Sequence, residues 1–286
     1  MTPDPIPDFQ APSGPAEAED WNGWAGRGWV DLQETLDAVF QPQADFLVRQ
    51  LEGAVHRVLD IGSGTGATSL GVAEVLGRGG RCVGIDVSEP MVEAARRRAE
   101  DKNLPVSFLL GDAQTWTFEP ASVEHFVSRF GVMFFSDPVQ AFANLRRAAA
   151  ADGTLSFLVW RSPADNPFMK VAGRGASEIL PDISPPQPNA PGQFGLADPD
   201  RTAEVLAAAG WRNVNIKAKD FACRLPESQL LAFVTRLGVL GRRWPDLDPS
   251  TREALLDAVI PGYAPFREDD WLRVDAACWH LSATAP

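Results

Sequence analysis

The chain has 286 residues, enough for one large domain or two modest ones with a full apolar core. Its 26 Lys and Arg against 38 Asp and Glu leave a net charge of −12, which excludes a protein that wraps nucleic acid chiefly through phosphate contacts. The cysteines Cys82, Cys223 and Cys278 form no CxxC pair and are too few for a disulfide framework, and no apolar run reaches the roughly 18 to 20 residues that span a bilayer. These features predict a cytoplasmic protein with buried, reduced thiols, no metal, and neither nucleic acid nor membrane as partner.

Residues 1–20, rich in proline and acid and without the regions of a signal peptide, read as a disordered tail. Residues 21–54 read as an N-terminal helical cap segment. Trp21, Trp24 and Trp29 cluster there, as a patch that pins the segment to the domain and whose ring faces also suit a cation. Leu32, Leu36, Val39, Phe40, Phe46, Leu47 and Leu51 follow at helical spacing, which predicts two short helices broken at Pro42. Residues 55–160 form the core unit. Strands are predicted at 57–61, 81–86, 106–110, 123–129 and 154–160, and helices at about 67–76, 90–101 and 137–150, the last ending in an Asp152-Gly153 turn. Residues 161–197 read as a lid, with six prolines between 181 and 199. Residues 198–286 return to the core. Asp198 caps a helix with Pro199 in its first turn, 211–219 alternates as a strand, and 226–265 is a helical cap insertion of two helices, the second opened by the capping box Ser250-Thr251-Arg252-Glu253. A closing strand covers 271–284.

The densest chemical signal is VLDIGSGTG, residues 58–66, where a buried strand runs into Gly62, Gly64 and Gly66 and then a helix. Glycines here let the backbone turn sharply and approach a nucleotide without Cβ atoms in the way. Gly62, Gly64 and Ala67 also satisfy the dinucleotide fingerprint, so a nicotinamide-dependent oxidoreductase fits the loop taken alone. Asp60 tips the balance to a cationic ligand, because a carboxylate repels a pyrophosphate. Asp86 is placed to accept from both ribose hydroxyls, and Asp112, after Gly111, offers a carboxylate and a backbone N–H suited to an adenine edge.

Together, VLDIGSGTG, GIDVSEPM (84–91), GDAQ (111–114) and SRFGVMFFSDPVQAFANLRR (128–147) resemble the class I S-adenosylmethionine-dependent methyltransferases, and most of all the ubiquinone and menaquinone biosynthesis (type 11) small-molecule group. The resemblance covers about residues 45–160 and, more loosely, 194–220. It implies an α/β, Rossmann-like doubly wound sheet of seven strands with an antiparallel last strand and a helical cap. It implies S-adenosylmethionine as cofactor, with Asp60, Gly62, Ser63, Gly64 and Gly66 near the methionine part and ribose. Asp86 would hold the ribose hydroxyls, Val87 and Met91 would flank the adenine, and Asp112 with Ala113 would read its edge. Ser128 and Arg129 would lie beside the transferable methyl. Glu124-His125 departs from relatives that carry an Asp early in this strand.

Arg129 is the candidate catalytic residue, and Trp160, Arg161, Phe134 and Phe168, with Phe135 and Met169, are candidates for the acceptor wall. His56 and His125 lie at the amino ends of strands, away from the ligand side. His280 shares the alternation of a buried strand face and reads as a neutral core histidine. With no general base in view, thiols, amines and acidic phenols are the easier acceptors. The expected function is methyl transfer by in-line displacement to O, N or S of a small, largely apolar, aromatic or quinone-like metabolite, in a chain that allows a homodimer. A non-catalytic S-adenosylmethionine-binding regulator would carry the same donor motifs.

Overall fold

Strand β1 (Arg57–Ile61) is buried along Val58, Leu59, Asp60 and Ile61, the pattern of a strand covered on both faces. The computed structural model, which describes residues 15–51, 55–183 and 190–286, places it third in a seven-stranded sheet. The other strands are β2 (Arg81–Asp86), β3 (Val106–Leu110), β4 (Val123–Arg129), β5 (Ala149–Trp160), β6 (Arg212–Phe221) and, past a three-stranded sheet of β7 (Arg224–Pro226), β8 (Arg267–Glu268) and β9 (Trp271–Arg273), the strand β10 (Ala276–Thr284). The order is β3-β2-β1-β4-β5-β10-β6. The first five are mutually parallel, and β10 runs antiparallel to both β5 and β6. The sheet is therefore the doubly wound one expected, with its last strand reversed and set inside the sheet rather than at its edge.

Helices α1 (Pro15–Asn22), α2 (Trp24–Asp31) and α3 (Gln33–Arg49) precede β1. Residues 15–20 are thus helical where a disordered tail was expected, and residues 1–14 of that tail lie outside the described residues. Helix α3 is continuous through Pro42. A proline there costs about 3 kcal/mol, and the burial of Leu36, Val39, Phe40, Ala44 and Leu47 on one face exceeds that cost. In the core, α4 (Ala67–Leu76), α5 (Glu89–Lys102) and α6 (Pro138–Ala148) lie within two residues of their predicted bounds. The Asp152-Gly153 turn is a bulge inside β5, since Val123 pairs with Ala149 and His125 with Thr154.

Among its described residues the lid region holds one short α-helix, α7 (Val171–Ala176), preceded by a 3-10 turn at Pro167–Lys170, and the proline-rich stretch 184–189 lies outside the described residues. Helix α8 (Pro199–Ala208) is capped by Asp198, as expected. The insertion carries three helices rather than two, α9 (Leu230–Arg236), α10 (Gly238–Arg243) and α11 (Pro249–Val259). Asp248, not Ser250, caps the last of them by accepting from the Thr251 N–H. Asp137, Asp198 and Asp248 all act this way, each followed by a proline in the first helical turn. The segment 271–284 divides at Val274–Asp275, with β9 in the small sheet and β10 in the large one. Among the described residues no helix is long and apolar enough to cross a membrane.

Glu124 sits at the amino end of β4, and its carboxylate accepts from the backbone N–H groups of His56 and Arg57 and from the Arg57 guanidinium. It anchors the start of β1, at the opposite end from the glycine loop. Glu124→Ala should lower stability by about 1–2 kcal/mol in chemical denaturation. Nucleoside binding at the strand tips should be unchanged in the same variant, and a loss of both would contradict this placement.

Candidate active site at the strand tips

The carboxyl ends of β1, β2 and β4 meet at three glycines in left-handed backbone, Gly62, Gly64 and Gly66 (φ 64°, 54° and 89°). The N–H groups of Gly62 and Ser63 both donate to the Ile85 carbonyl, which ties the loop to β2. A Cβ on Gly62 would come within 2.5 Å of the Gly131 Cα, and one on Gly131 within 2.4 Å of the Ile61 carbonyl oxygen. The turns after β1 and β4 can touch only because both residues are glycine. Gly64 differs, since a Cβ there would meet nothing nearer than the Met91 sulfur at 3.7 Å. Its bareness leaves open space beside the loop.

Three acidic side chains line the tips. Asp60 is 1 % exposed; its Oδ2 accepts from the Ser69 hydroxyl at 2.6 Å and its Oδ1 has no hydrogen-bond partner. Burial raises its carboxyl to about 7, against the opposing pull of Ser69 and of the nearby Arg129 guanidinium. Asp86, also raised by burial, accepts from the Ser88 N–H at 2.9 Å and the Gly64 N–H at 2.7 Å. Asp112 accepts from the Gln114 N–H, and Gly111 donates to the Asp86 carbonyl, so the third tip is fastened to the second. Ala113 is buried beneath it with its carbonyl held by Asn144. The Ser63 hydroxyl is buried and unpartnered. The free Asp60 oxygen and the Ser63 hydroxyl, both buried without partners near the strand tips, suit a ligand that brings donors and positive charge.

Two side chains expected beside the reacting methyl have other engagements. The Ser128 hydroxyl donates to the Ile61 carbonyl and accepts from the Gly131 N–H, so it fastens the β4 tip to the β1 tip. The Arg129 guanidinium donates to the Phe40 carbonyl at 3.2 Å and lies over the Phe40 ring. Trp160 stacks on Phe130, ring centroids 4.2 Å apart, with Phe40 and Phe168 edge-on to it. Arg161, one residue on along the strand, points to the other face, where it pairs with Asp165 and Asp220 and covers Trp279. It therefore does not join that aromatic wall. Phe134 meets Trp21 edge-on rather than Trp160. Phe135 packs against Phe142, and Met169 accepts a hydrogen bond from Gln193.

The N-terminal segment closes the site in a way the tryptophan cluster only hinted at. Asn22 donates to the Val87 carbonyl and accepts from the Glu89 N–H, and the Ser88 hydroxyl donates to the Trp21 carbonyl. With Trp21 on Phe134, the segment bridges the tips of β2 and β4. Trp29 stacks on Phe40, and Trp24 donates to Asp20. The histidines stay remote. His125 bonds Thr154 and His280 bonds Ser156, both pushed down to about 4, by burial first.

Residues 58–153 match a family of methyltransferase domains. Nocamycin O-methyltransferase of Saccharothrix syringae is 28 % identical over 215 residues, covering 71 % of this chain and 76 % of that enzyme. The demethylmenaquinone methyltransferase of Thermus thermophilus is 34 % identical over 131 residues, 46 % of this chain and 59 % of that one. Haemonchus contortus phosphoethanolamine N-methyltransferase 2, solved with phosphomonomethylethanolamine and S-adenosylhomocysteine, shares the fold with a TM-score of 0.58 at 17 % identity, over 93 % of this chain and 60 % of its own. The family match decides between the two nucleotide readings of the glycine loop.

Gly131→Ala should destabilise the fold by about 1–3 kcal/mol through the forced contact with Ile61 and Gly62, seen as a lower denaturant midpoint. Asp60 gives a pH test. Its carboxyl holds a proton more tightly in the folded state, so its contribution to stability is present below the unfolded value and is lost as pH rises through about 7. His125 and His280 run the opposite way below 6.5. The difference between wild type and Asp60→Asn removes that background, and between pH 4 and 8 it should shift against the wild type by on the order of a few kcal/mol. A pH-independent difference would contradict the raised carboxyl.

Proposed function

Since the chain belongs to the class I S-adenosylmethionine-dependent methyltransferases of the type 11 group, we propose that it carries a methyl group by in-line displacement to an O, N or S atom of a small, largely apolar, aromatic or quinone-like metabolite. The observation that carries the reading is the row of carboxylates at successive strand tips, one of which, Asp60, keeps a buried oxygen without a partner.

When bound, the donor supplies a methyl group already activated on a sulfonium. Asp86, steadied by the Gly64 and Ser88 N–H groups, keeps its remaining lone pairs for the ribose hydroxyls. Asp60 sets a negative charge near the sulfonium and the ammonium of the methionine part, and the Ser63 hydroxyl adds a free hydrogen-bonding group. Val87 and Met91 flank the adenine, and Asp112 with the Ala113 backbone holds its edge. Trp21 and Phe134 close over the site and exclude water, which strengthens each of these electrostatic contacts. Phe130, Trp160 and Phe168 give the acceptor an apolar wall. Positioning of the acceptor against the methyl then supplies the larger part of the rate, and no base is required for a nucleophile that arrives ionised. The three buried free thiols support a cytoplasmic setting.

Asp86→Ala should weaken S-adenosylhomocysteine binding by about 1–3 kcal/mol in calorimetry. Unchanged affinity would remove Asp86 from the site. Incubation with isotopically labelled donor and a metabolite extract should move label to a small apolar metabolite; label found only on RNA or protein would overturn the acceptor class.

A further inference from the structure

Arg129 is the charged side chain of the site that the donor does not account for. It leaves the carboxyl end of β4 and is held between α3 and the strand tips, with a single hydrogen bond, to the Phe40 carbonyl. Among the described residues no carboxylate comes within 4 Å of its nitrogens. Its two acidic neighbours each give one oxygen to another partner, Asp37 to Arg98 and Asp60 to Ser69, and neither pairs with it directly. An arginine has five N–H donors, and one this sheltered normally meets a carboxylate or several acceptors. Burial lowers its affinity for its own proton and outweighs the opposing pull of the Asp37 and Asp60 carboxylates, which lie beyond ion-pair distance.

The surroundings indicate what would supply that charge. The guanidinium carbon lies 5.7 Å from the centroid of Phe40, whose ring is edge-on to both Phe130 and Trp160, and Phe168 extends the same aromatic wall. Phe130 holds its ring there from a left-handed backbone (φ 68°), a conformation that costs a bulky residue about 1–3 kcal/mol. A planar cation beside a wall of aromatic faces is complementary to a flat apolar body that ends in an anionic oxygen.

Resting on the methyltransferase reading above, we propose that the acceptor is an oxyacid on a flat apolar body, a carboxylate or an ionised enol or phenol, and that Arg129 binds its anionic oxygen. The oxygen lone pair forms the new C–O bond as the S–CH3 bond breaks and its electron pair passes to sulfur. Anion and sulfonium are neutralised together, no proton is released in the site, and Arg129 loses its counter-charge, which favours departure of the product.

Calorimetry on the wild-type chain saturated with S-adenosylhomocysteine tests this, with 2-naphthoate and the isosteric 2-naphthamide as probes. Naphthoate should bind at least about tenfold more tightly, as a charge-assisted bidentate contact requires. Arg129→Gln should erase that preference, and Arg129→Lys should keep part of it. Equal affinity for the two probes, or no saturable naphthoate binding to the wild-type complex, overturns the proposal without any variant. A drop of more than about tenfold in S-adenosylhomocysteine affinity in Arg129→Gln also overturns it, by assigning the guanidinium to the carboxylate of the donor. Failure of the wild type to bind S-adenosylhomocysteine would instead sink the methyltransferase reading on which the proposal rests.

Discussion

A carboxylate held almost wholly out of water, with one oxygen unmet, is the constraint around which this molecule is arranged. Burying Asp60 at the end of the central strand is unfavourable, and the Ser69 hydroxyl offsets that only in part. Such a group persists when something in the working state of the protein repays it, and a ligand bearing positive charge and N–H donors is the natural partner.

The tips are cross-tied so that this geometry survives without a ligand. Ser128 and the Gly62–Gly131 contact join β4 to β1, the Asp86 carboxylate joins β2 to the glycine loop, and the Gly111 N–H joins β3 to β2. Over these ties lies the N-terminal segment, latched by Asn22 and Ser88 on one side and by Trp21 on the other. Beside the tips, α3 supplies Phe40, which receives Arg129 at its carbonyl and its ring. On the proposed reading the donor would sit on the strand tips and the acceptor under the helices that roof them, with Arg129 between the two.

Much of the strand framework that carries the tips was readable from residues alone. Parallel strands covered on both faces appear as short apolar runs, and β1, β2 and β3 each run into a glycine or an aspartate that marks the tip; β1 to β4 all fell on their predicted bounds. Elsewhere local signals were overruled or silent. Pro42 reads as a break, but a whole helical face is buried around it. Ser250-Thr251-Arg252-Glu253 has capping spacing, but Asp248-Pro249 stands two residues earlier and is the better start. The alternation over 271–284 is one pattern serving two sheets, because period two does not reveal where a strand changes partners. Asn22 gave no signal at all, since its partners lie more than sixty residues away and are backbone atoms. Ser128 was placed by the family resemblance and Arg161 by its position at a strand end, and only their hydrogen-bond and ion-pair partners reveal that each is already engaged.

The most direct measurement is a crystal structure of the chain grown with S-adenosylhomocysteine. The ribose should be held by Asp86, the adenine should lie between Met91 and the Asp112–Ala113 backbone, and the ammonium of the amino-acid end should come within hydrogen-bond distance of the free oxygen of Asp60. Ligand bound elsewhere, or strand tips filled by the protein's own side chains at saturating ligand, would contradict the account.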